Sequence, residues 1–363
     1  MSSIEKSAVE NLLKTVIDPH HGLDLIAAKS VKAIVIEGNK LSVKIELGYP
    51  AKNYVQTLQN QVEQLLQSLD GVEGVKVCVN VNIVAHAVQQ TLKPNPHIKN
   101  IIAVASGKGG VGKSTTVVNL ALALASEGAR VGILDADIYG PSIPTMLGLS
   151  GIPESLDQKT MQPKIAHGIQ TMSIGYLIEA DTAVIWRGPM VTNALQQLFR
   201  DTQWDDLDYL IIDLPPGTGD IHLTLAQQFP VSGAIIVTTP QDIALLDAQR
   251  GLSMFAKVNV PVLGIIENMS LHICSNCGHE EAIFSTGGGA ILADANKVDF
   301  LGALPLDMAI RQQADSGYPT VVADPEGRAA QLYQEIARKA SAKLALRAKD
   351  FKAKFAPIVV QNG

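Results

Sequence analysis

The chain contains, at residues 101–115, the stretch Ile101-Ile102-Ala103-Val104-Ala105-Ser106-Gly107-Lys108-Gly109-Gly110-Val111-Gly112-Lys113-Ser114-Thr115. Its first five residues are apolar, its middle is rich in glycine, and it matches the P-loop pattern G-x-x-x-x-G-K-[ST]. The apolar run predicts a buried strand, and a helix is expected to begin at the end of the loop. The glycines allow successive backbone N–H groups to converge on phosphate oxygens at the positive end of that helix. The stretch therefore predicts a nucleotide-binding P-loop.

Each residue type in this loop matches one part of a nucleotide. We expect Lys113 to reach the terminal phosphates, the Ser114 hydroxyl to bind Mg²⁺ and Thr115 to support the α-phosphate. Asn268, which follows a later strand, is expected to bond the edge of the base. A glycine-rich turn that binds nothing is the alternative, and the strand–loop–helix context argues against it. The residues predicted to bind the nucleotide are Gly107, Lys108, Gly109, Gly110, Val111, Gly112, Lys113, Ser114, Thr115 and Asn268.

Short apolar runs recur from Ile101 onward, with helical patterns between them. The runs lie at residues 101–105, 130–134, 209–212, 234–237, 262–266 and 301–304. Strands that are apolar throughout and alternate with helices are typical of a parallel sheet covered on both faces. The predicted fold class is therefore α/β, a P-loop NTPase with a mostly parallel, doubly wound sheet, and its ligands are expected at the carboxyl ends of the strands.

The first 85 residues have a different pattern, typical of a small α+β domain. The predicted elements are a helix around Val9, Leu12, Leu13 and Val16, strands at 31–37 and 40–47, a helix at about 55–69 and a strand at 75–83. In the last strand, valines alternate with polar residues, as on a sheet with one buried face. Two prolines within residues 93–96 indicate a linker. The predicted boundaries are a small domain at 1–85, a linker at 86–98, a P-loop domain at 99–345 and a C-terminal tail at 346–363.

The overall composition limits the possible partners. A net charge of -6 argues against nucleic acid as the main partner, because phosphate backbones select basic surfaces. The start of the chain is polar and has no apolar signal region, so we expect a cytoplasmic protein. Near the C-terminus, Leu344, Phe351 and Phe355 share a helical face among basic residues. That face either contacts a membrane or packs on the protein's own core; we favour the core and expect no stable membrane association.

Acidic residues follow two of the predicted core strands. Asp135 and Asp137 end the second strand, and Asp213 closes a Walker B strand. Carboxylates at these ends face the phosphate site, so Asp213 is predicted to hold Mg²⁺ with Ser114. Gly217, in the loop after Asp213, is free to approach the γ-phosphate and is predicted to belong to a switch. For any single acid, a capping or turn role is the alternative.

Lys108 adds a second lysine to the P-loop. It resembles the signature lysine of the deviant P-loop ATPases, the group of MinD, ParA and the nitrogenase iron protein. The resemblance implies that Lys108 reaches across a dimer interface and stabilises transition-state charge in the partner's site, as an arginine finger does. It also implies that Asp137 orients the attacking water and that Asp135 senses the γ-phosphate, which makes Lys108, Lys113 and Asp137 the predicted catalytic residues. A solvated loop lysine is the alternative for Lys108.

Cys274 and Cys277 form a Cys-x-x-Cys pair and are followed by Gly278 and His279. Two thiolates three residues apart can bind one metal centre, but they supply half of a four-cysteine site. The third cysteine, Cys78, lies in the other predicted domain. A homodimer supplies four thiolates at its symmetry axis, for a bridging [4Fe–4S] cluster or for a Zn²⁺ ion. Residues 285–291 predict a flexible loop that allows the cysteine segment to move.

Together these motifs resemble the Mrp/ApbC family of ATP-hydrolysing iron–sulfur cluster carriers. The resemblance covers residues 98–340 and rests on the P-loop and on residues 135–142, 186–190, 213–220 and 267–270, followed by Cys-x-x-Cys-Gly-His. Within the second of these, Arg187 either contacts phosphate or the partner subunit, or forms a structural ion pair. Residues 1–85 resemble the small SufT-like domain, but residues 48–52 lack a cysteine that related domains often have there. We therefore predict a docking role for this domain.

The resemblance implies a homodimeric ATPase that converts ATP and water to ADP and phosphate and couples this to cluster loading or release. Its cofactors would be ATP, Mg²⁺ and a [4Fe–4S] cluster held by Cys274 and Cys277 of both subunits. Its partners would be apo iron–sulfur proteins and a scaffold that donates the cluster. Two alternatives remain: a positioning ATPase of the ParA/MinD kind, and an ATPase in which zinc staples the dimer.

Overall fold

The structure is a computed structural model that describes residues 4–89, 92–177, 188–274 and 276–347. Its strands are β1 Val31–Glu37, β2 Lys40–Leu47, β3 Gly74–Val81, β4 Ile98–Ala105, β5 Val131–Asp135, β6 Lys164–Ala166, β7 Ile169–Ser173, β8 Leu207–Asp213, β9 Gly233–Thr238, β10 Val262–Glu267, β11 His272–Ile273, β12 Glu280–Glu281 and β13 Phe300–Ala303. Its helices are α1 Lys6–Leu13, α2 Lys52–Gln67, α3 Lys113–Ser126, α4 Ile143–Met146, α5 Gly188–Asp201, α6 Asp220–Gln228, α7 Asp242–Lys257, α8 Gly288–Ala295, α9 Met308–Asp315, α10 Thr320–Ala323 and α11 Arg328–Ala345. Arg187, Phe351 and Phe355 lie outside the described residues, so the roles predicted for them stay predictions.

The small sheet near the N-terminus has the strand order β1-β2-β3, with β1 antiparallel and β3 parallel to β2. Leu58, Val62 and Leu66 recur every four residues, so they share one face of α2. This face packs against alternate residues of β2, among them Val43 and Ile45, in one buried cluster. The small domain is therefore an α+β layer pair, as its sequence pattern predicts.

The prediction for β3 was too long at its C-terminal end. The strand ends at Val81, and Ile83 packs into the core of the large sheet instead. The alternation of apolar residues continues past Val81 because the chain passes there from one buried face to another. His86 then bonds the Asn100 side chain through its backbone N–H, and Ile98, placed in the linker by the sequence pattern, already belongs to β4.

The large sheet has the strand order β13-β10-β9-β4-β8-β5-β7-β6 among the described residues. Every pair in it is parallel except β6 with β7. Successive residues of β4 point to opposite faces: Ile101 and Ala103 contact the cluster that includes α5, α6 and α7, whereas Ile102 and Val104 contact the cluster that includes α3 and α11. The sheet is thus covered on both faces, which confirms the predicted fold class.

The sequence pattern missed β6 and β7. The strand β7, Ile169–Ser173, contains the polar residues Gln170, Thr171 and Ser173, and β6 has three residues. Thr171 is nevertheless buried, because its hydroxyl bonds that of Tyr176 at 2.7 Å. Local pairing of this kind allows a polar residue in a buried strand, and a search for apolar runs cannot detect it.

Helix α11 joins the two domains. Arg338 on α11 contacts Glu127 at the end of α3 and donates to His20 of the small domain at 3.0 Å. Glu127 also accepts from the backbone N–H of Asn53 at 3.0 Å. Leu344, expected on an amphipathic face, is fully buried in the core, as the core-packing alternative predicted. No helix in the described part of the chain is both long enough and apolar enough to span a membrane.

Candidate functional site

The P-loop connects the end of β4 to the first turn of α3 and makes close contacts that require glycine. Gly110 and Gly112 have φ of +82° and +79°, a region that side chains rarely adopt. A Cβ on Gly112 would lie 2.2 Å from Nδ2 of Asn268, and one on Gly107 would lie 2.4 Å from the Asp247 backbone. The glycines thus allow the loop to pack against β10 and α7 while its N–H groups stay at the start of α3.

Three carboxylates meet this loop because their strands are neighbours in the sheet. Residue 213 is the register partner of both Val104 on β4 and Asp135 on β5. The buried Asp213 carboxylate accepts from Lys113 Nζ at 2.5 Å and from Ser114 Oγ at 2.5 Å. Asp137 lies 3.6 Å from the same ammonium. We call the P-loop together with Asp135, Asp137 and Asp213 the nucleotide edge.

Asp135 holds the loop that carries Asp137. Its buried carboxylate accepts from Ser173 Oγ at 2.9 Å and from the backbone N–H groups of Asp137 and Ile143, at 3.2 and 3.3 Å. Burial, and then the nearby Asp213, raise the pKa of Asp135 to about 8. Burial also raises the pKa of Asp137, against the opposing effect of Lys113. Asp135 therefore organises the loop in this structure, and its predicted response to the γ-phosphate stays a prediction.

The predicted switch loop, residues 215–220, lies directly over the P-loop, and its last residue already begins α6. The N–H of Gly217 donates to the Ser106 carbonyl at 2.9 Å, and its φ of +113° requires glycine. His222 is hydrogen-bonded to this loop. Its Nε2 lies 2.7 Å from the Pro215 carbonyl oxygen and donates to it in the tautomer that carries the proton on Nε2. Burial lowers the pKa of His222. His222 was not predicted from the sequence, where its only signal is a polar residue in the apolar pattern that begins α6.

Lys108 and Asn268 sit on opposite sides of the loop. The half-buried Lys108 accepts the Ser106 hydroxyl on its carbonyl at 2.9 Å, while its ammonium pairs with no carboxylate among the described residues. Asn268 donates its side-chain N–H to the Val111 carbonyl at 2.9 Å. This bond fixes Asn268 against the loop and leaves its side-chain oxygen as the atom for the predicted base contact, which stays a prediction.

The cysteine pair lies at the tip of a short hairpin formed by β11 and β12. The N–H of Cys274 donates to His279 at 2.9 Å, and Gly278 returns a bond to Cys274 at 2.8 Å through a turn with φ +71°. Cys274 is half-buried and Cys277 is exposed. The backbone N–H groups of Cys277 and Asn276 stabilise the Cys274 thiolate and lower its pKa. Within the described ranges, no group of three or more His, Cys, Asp or Glu side chains around this pair is arranged to hold a metal ion, so one chain offers this site two thiols.

The hairpin returns to α8 through a loop that Glu267 and Ser270 hold by hydrogen bonds, and the flexibility expected of residues 285–291 stays a prediction. Glu267, fully buried at the end of β10, accepts from the backbone N–H groups of Gly287 and Gly289. The carboxylate thereby satisfies donors at the start of α8, which have no partner within the helix. Sequence reasoning gave Glu267 no role, because the distant glycines that it binds are visible only in the folded chain.

A parallel sheet with this P-loop and with aspartates at the ends of the neighbouring strands defines a P-loop NTPase of the MinD/ParA type. Among solved structures, a nucleotide-binding protein from Archaeoglobus fulgidus, in complex with ADP and containing cobalt, is 37% identical, with a TM-score of 0.55 over 64% of this chain and 90% of its own. The MinD cell division ATPase of Pyrococcus furiosus is 22% identical, with a TM-score of 0.50 over 66% of this chain and 97% of its own. The latter likeness shows the fold alone.

The family model for the NUBPL iron-transfer P-loop NTPase matches residues 97–341, and that for the iron–sulfur cluster assembly protein matches residues 6–79. The iron–sulfur cluster carrier protein of Pseudomonas fragi is 58% identical over 76% of this chain and 97% of its own length. That of Escherichia coli K12 is 50% identical over 88% of this chain and 87% of its own. The mouse iron–sulfur cluster transfer protein NUBPL is 50% identical over 68% of this chain and 77% of its own. The chain belongs to the family of iron–sulfur cluster carrier proteins, which confirms the resemblance found in its sequence.

Proposed function

We propose that the protein is a homodimeric ATPase that binds a [4Fe–4S] cluster between its subunits and transfers it to apo-proteins. The observation that carries this proposal is the pair Cys274 and Cys277 at a hairpin tip, where one chain supplies two thiols. Cysteine-ligated [4Fe–4S] clusters need four. A twofold axis beside the hairpin brings two such pairs together and completes the set. The cluster is then cargo, which a donor scaffold supplies and apo-proteins receive.

The nucleotide edge performs the hydrolysis in this proposal. The P-loop N–H groups and Lys113 bind the phosphates, while Asp137, beside the Lys113 ammonium, orients the attacking water. Ser114 and Asp213 present adjacent oxygen atoms, which are the donors that Mg²⁺ prefers. When bound there, Mg²⁺ supplies charge neutralisation for the phosphates. Lys108, with no carboxylate partner among the described residues, reaches the phosphates of the other subunit.

An exposed apolar surface beside the P-loop supports the dimer. Ile243 and Leu246 on α7 are 68% and 65% exposed, and Ile291 on α8 is 73% exposed. Helix α7 contacts the P-loop through Asp247, next to Leu246, and meets α8 through Leu245 and Gly288. Ile243 and Leu246 are three residues apart on α7 and so share one face, and exposed apolar faces of this kind are typical of an interface. A dimer formed here would place each Lys108 toward the neighbouring subunit.

Anaerobic reconstitution with iron and sulfide tests the proposal. The wild-type protein should gain the charge-transfer absorption of a cysteine-ligated cluster at about 400 nm. The double variant Cys274→Ala/Cys277→Ala should gain none, whereas the matched control Cys78→Ala, altered on the small sheet, should match the wild type. Full absorption in the double variant contradicts the proposal. Uptake of Zn²⁺ with no iron favours the structural-zinc alternative, and ATP-dependent binding to vesicles or DNA without the cysteines favours the positioning alternative.

A further inference from the structure

Four residues at and just after the end of β10 lie between the nucleotide edge and the cysteine hairpin. Glu267 is the buried last residue of the strand, residues 268–270 follow it, and we call these four residues the connector. We call residues 271–286, which carry the hairpin and return toward α8, the cysteine segment. The residues of the connector have different neighbours. Asn268 bonds the P-loop and Met269 lies beside it, whereas Glu267 and Ser270 hold the ends of the cysteine segment.

On the nucleotide side, the contacts come from Asn268 and Met269. Asn268 bonds the Val111 carbonyl, and its amide nitrogen lies 2.2 Å from the position of a Cβ on Gly112, with Met269 Cε 3.8 Å from that point. Met269 itself has a φ of +57°, a conformation that costs a residue with a side chain about 1–2 kcal/mol. Such a conformation persists where the surroundings enforce it, and here the residues on both sides are held, Asn268 by Val111 of the P-loop and Ser270 by Glu267.

On the cysteine side, the contacts come from Glu267 and Ser270. Glu267 Oε1 accepts from Gly287 N at 2.9 Å and from Ser270 Oγ at 2.8 Å, and Oε2 accepts from Gly289 N at 2.6 Å. Ser270 Oγ also lies 2.8 Å from Thr286 Oγ1. The segment begins directly after Ser270 and ends at Thr286. One buried carboxylate therefore joins its entry, its exit and the first turn of α8.

From this arrangement we propose that Glu267 is a positioning residue that couples the P-loop to the cysteine segment. Movement of Val111 and Gly112 on nucleotide binding displaces Asn268 and Met269, and the adjoining Glu267 carries both ends of the segment with it. The spacing and orientation of Cys274 and Cys277 then differ between nucleotide states, which is the differential contact that coupling requires. This inference gives the ATPase and the cluster site of the proposed function a physical link, and it rests on that function for its biological role.

The charge of Glu267 is central to this link. A carboxylate at the start of α8 is attracted by the positive end of the helix, and its two oxygens together accept three hydrogen bonds. In Glu267→Gln the side chain keeps its shape, but one oxygen becomes an NH₂ group that faces a backbone donor. Glu281→Gln makes the same chemical change at an exposed position of the cysteine segment and is the matched control.

Hydrogen exchange of the cluster-free protein, with and without Mg²⁺–ADP, tests the proposal. In the wild type and in Glu281→Gln, ADP should change the exchange rates of residues 271–289 by about threefold or more, along with those of the P-loop. In Glu267→Gln the P-loop should still respond to ADP while the response of residues 271–289 falls below about 1.5-fold. A merely structural role would alter the exchange of the segment equally with and without ADP, and would leave the response intact. A full response in Glu267→Gln, or none in the wild type, overturns the proposal.

A second variant covers the case in which Glu267→Gln does not fold, as judged by loss of the P-loop response. Thr286→Val removes only the bond between Thr286 and Ser270, and should reduce the response of the segment by about half. In that case a response of wild-type size in Thr286→Val overturns the proposal. The readout needs neither a cluster nor hydrolysis. A protein that fails reconstitution but keeps this response therefore refutes the proposed function and leaves the coupling intact.

Discussion

The nucleotide edge and the cysteine segment differ in how much of each site one chain completes. At the nucleotide edge, Lys113, Asp135 and Asp213 are buried and each has partners on a neighbouring strand or loop. In the cysteine segment, Cys277 is exposed and Cys274 half-buried, on a hairpin of two-residue strands. One chain thus folds around the residues that are predicted to bind phosphate, whereas its cysteine pair lies at a partly exposed hairpin tip, where a second subunit or an acceptor can reach it.

This contrast predicts different consequences for substitutions in the two regions. A change at the nucleotide edge affects both stability and chemistry, because the same buried contacts serve both. A change at the cysteine tip affects cluster binding with little effect on the fold, because few buried contacts depend on an exposed thiol.

The largest effect is expected from Lys113→Ala. It removes the cation between Asp213 and Asp137, so ATP hydrolysis should fall at least about 100-fold. The buried Asp213 carboxylate would lose its charged partner, and the free energy of unfolding should fall by about 3–5 kcal/mol. Cys277→Ala should change the free energy of unfolding by less than about 0.5 kcal/mol. Phosphate-release assays and urea unfolding check both effects, and equal destabilisation by the two variants would remove the contrast.

A smaller effect is expected from Gly112→Ala. The new methyl group must take a left-handed backbone and would meet Asn268, so the variant should lose about 2–4 kcal/mol of stability and bind ADP more weakly. Gly110→Ala is the matched control, since Gly110 has the same sign of φ and open space around it. It should lose about 1–2 kcal/mol. Equal losses in denaturant unfolding would show that the contact with Asn268 contributes nothing.

The pH dependence of His222 gives the next effect. Burial holds its folded-state pKa below the usual value of 6.5, so the unfolded chain binds a proton as pH falls below 6.5 while the folded chain does not. As the pH falls below 6.5, the free energy of unfolding of the wild type should therefore decrease relative to that of His222→Gln, by up to about 1 kcal/mol per pH unit. Urea unfolding of both proteins at pH 7.5, 6.5 and 5.5 measures this difference, and a constant difference would contradict it.

The smallest effect concerns the thiols. Backbone N–H groups lower the pKa of Cys274, so its thiolate should persist to lower pH than that of a free cysteine. In the cluster-free Cys277→Ser variant, we expect the rate at which iodoacetamide alkylates Cys274 to rise with pH. The pH at which this rate is half its maximum should lie below that of a free thiol. Peptide mass spectrometry against pH measures it, with Cys78 as the internal reference. If this pH lies at or above the value for a free thiol, the backbone N–H groups do not stabilise the Cys274 thiolate.

The sequence sufficed for those parts of the molecule in which local pattern and chemistry coincide. The apolar strands and the glycine loop predicted the parallel sheet, because burial and backbone freedom act residue by residue. It did not suffice for β7, where Thr171 is buried through a bond to the nearby Tyr176 and Ser173 through a bond to the distant Asp135. His222 and Glu267 were missed for the same reason: each satisfies backbone atoms that only the folded chain brings near. The contacts of Asn268 with the P-loop were also hidden, although its place at a strand end was visible.

The central claim is that one cluster is held jointly by two chains. Sedimentation velocity of the reconstituted wild-type protein, recorded at 280 nm for protein and at about 400 nm for the cluster, tests it most directly. The account predicts that the absorbance at about 400 nm moves entirely with the dimer, and that the variant Cys274→Ala/Cys277→Ala shows none at that wavelength. Cluster absorbance that sediments with the monomer would contradict it.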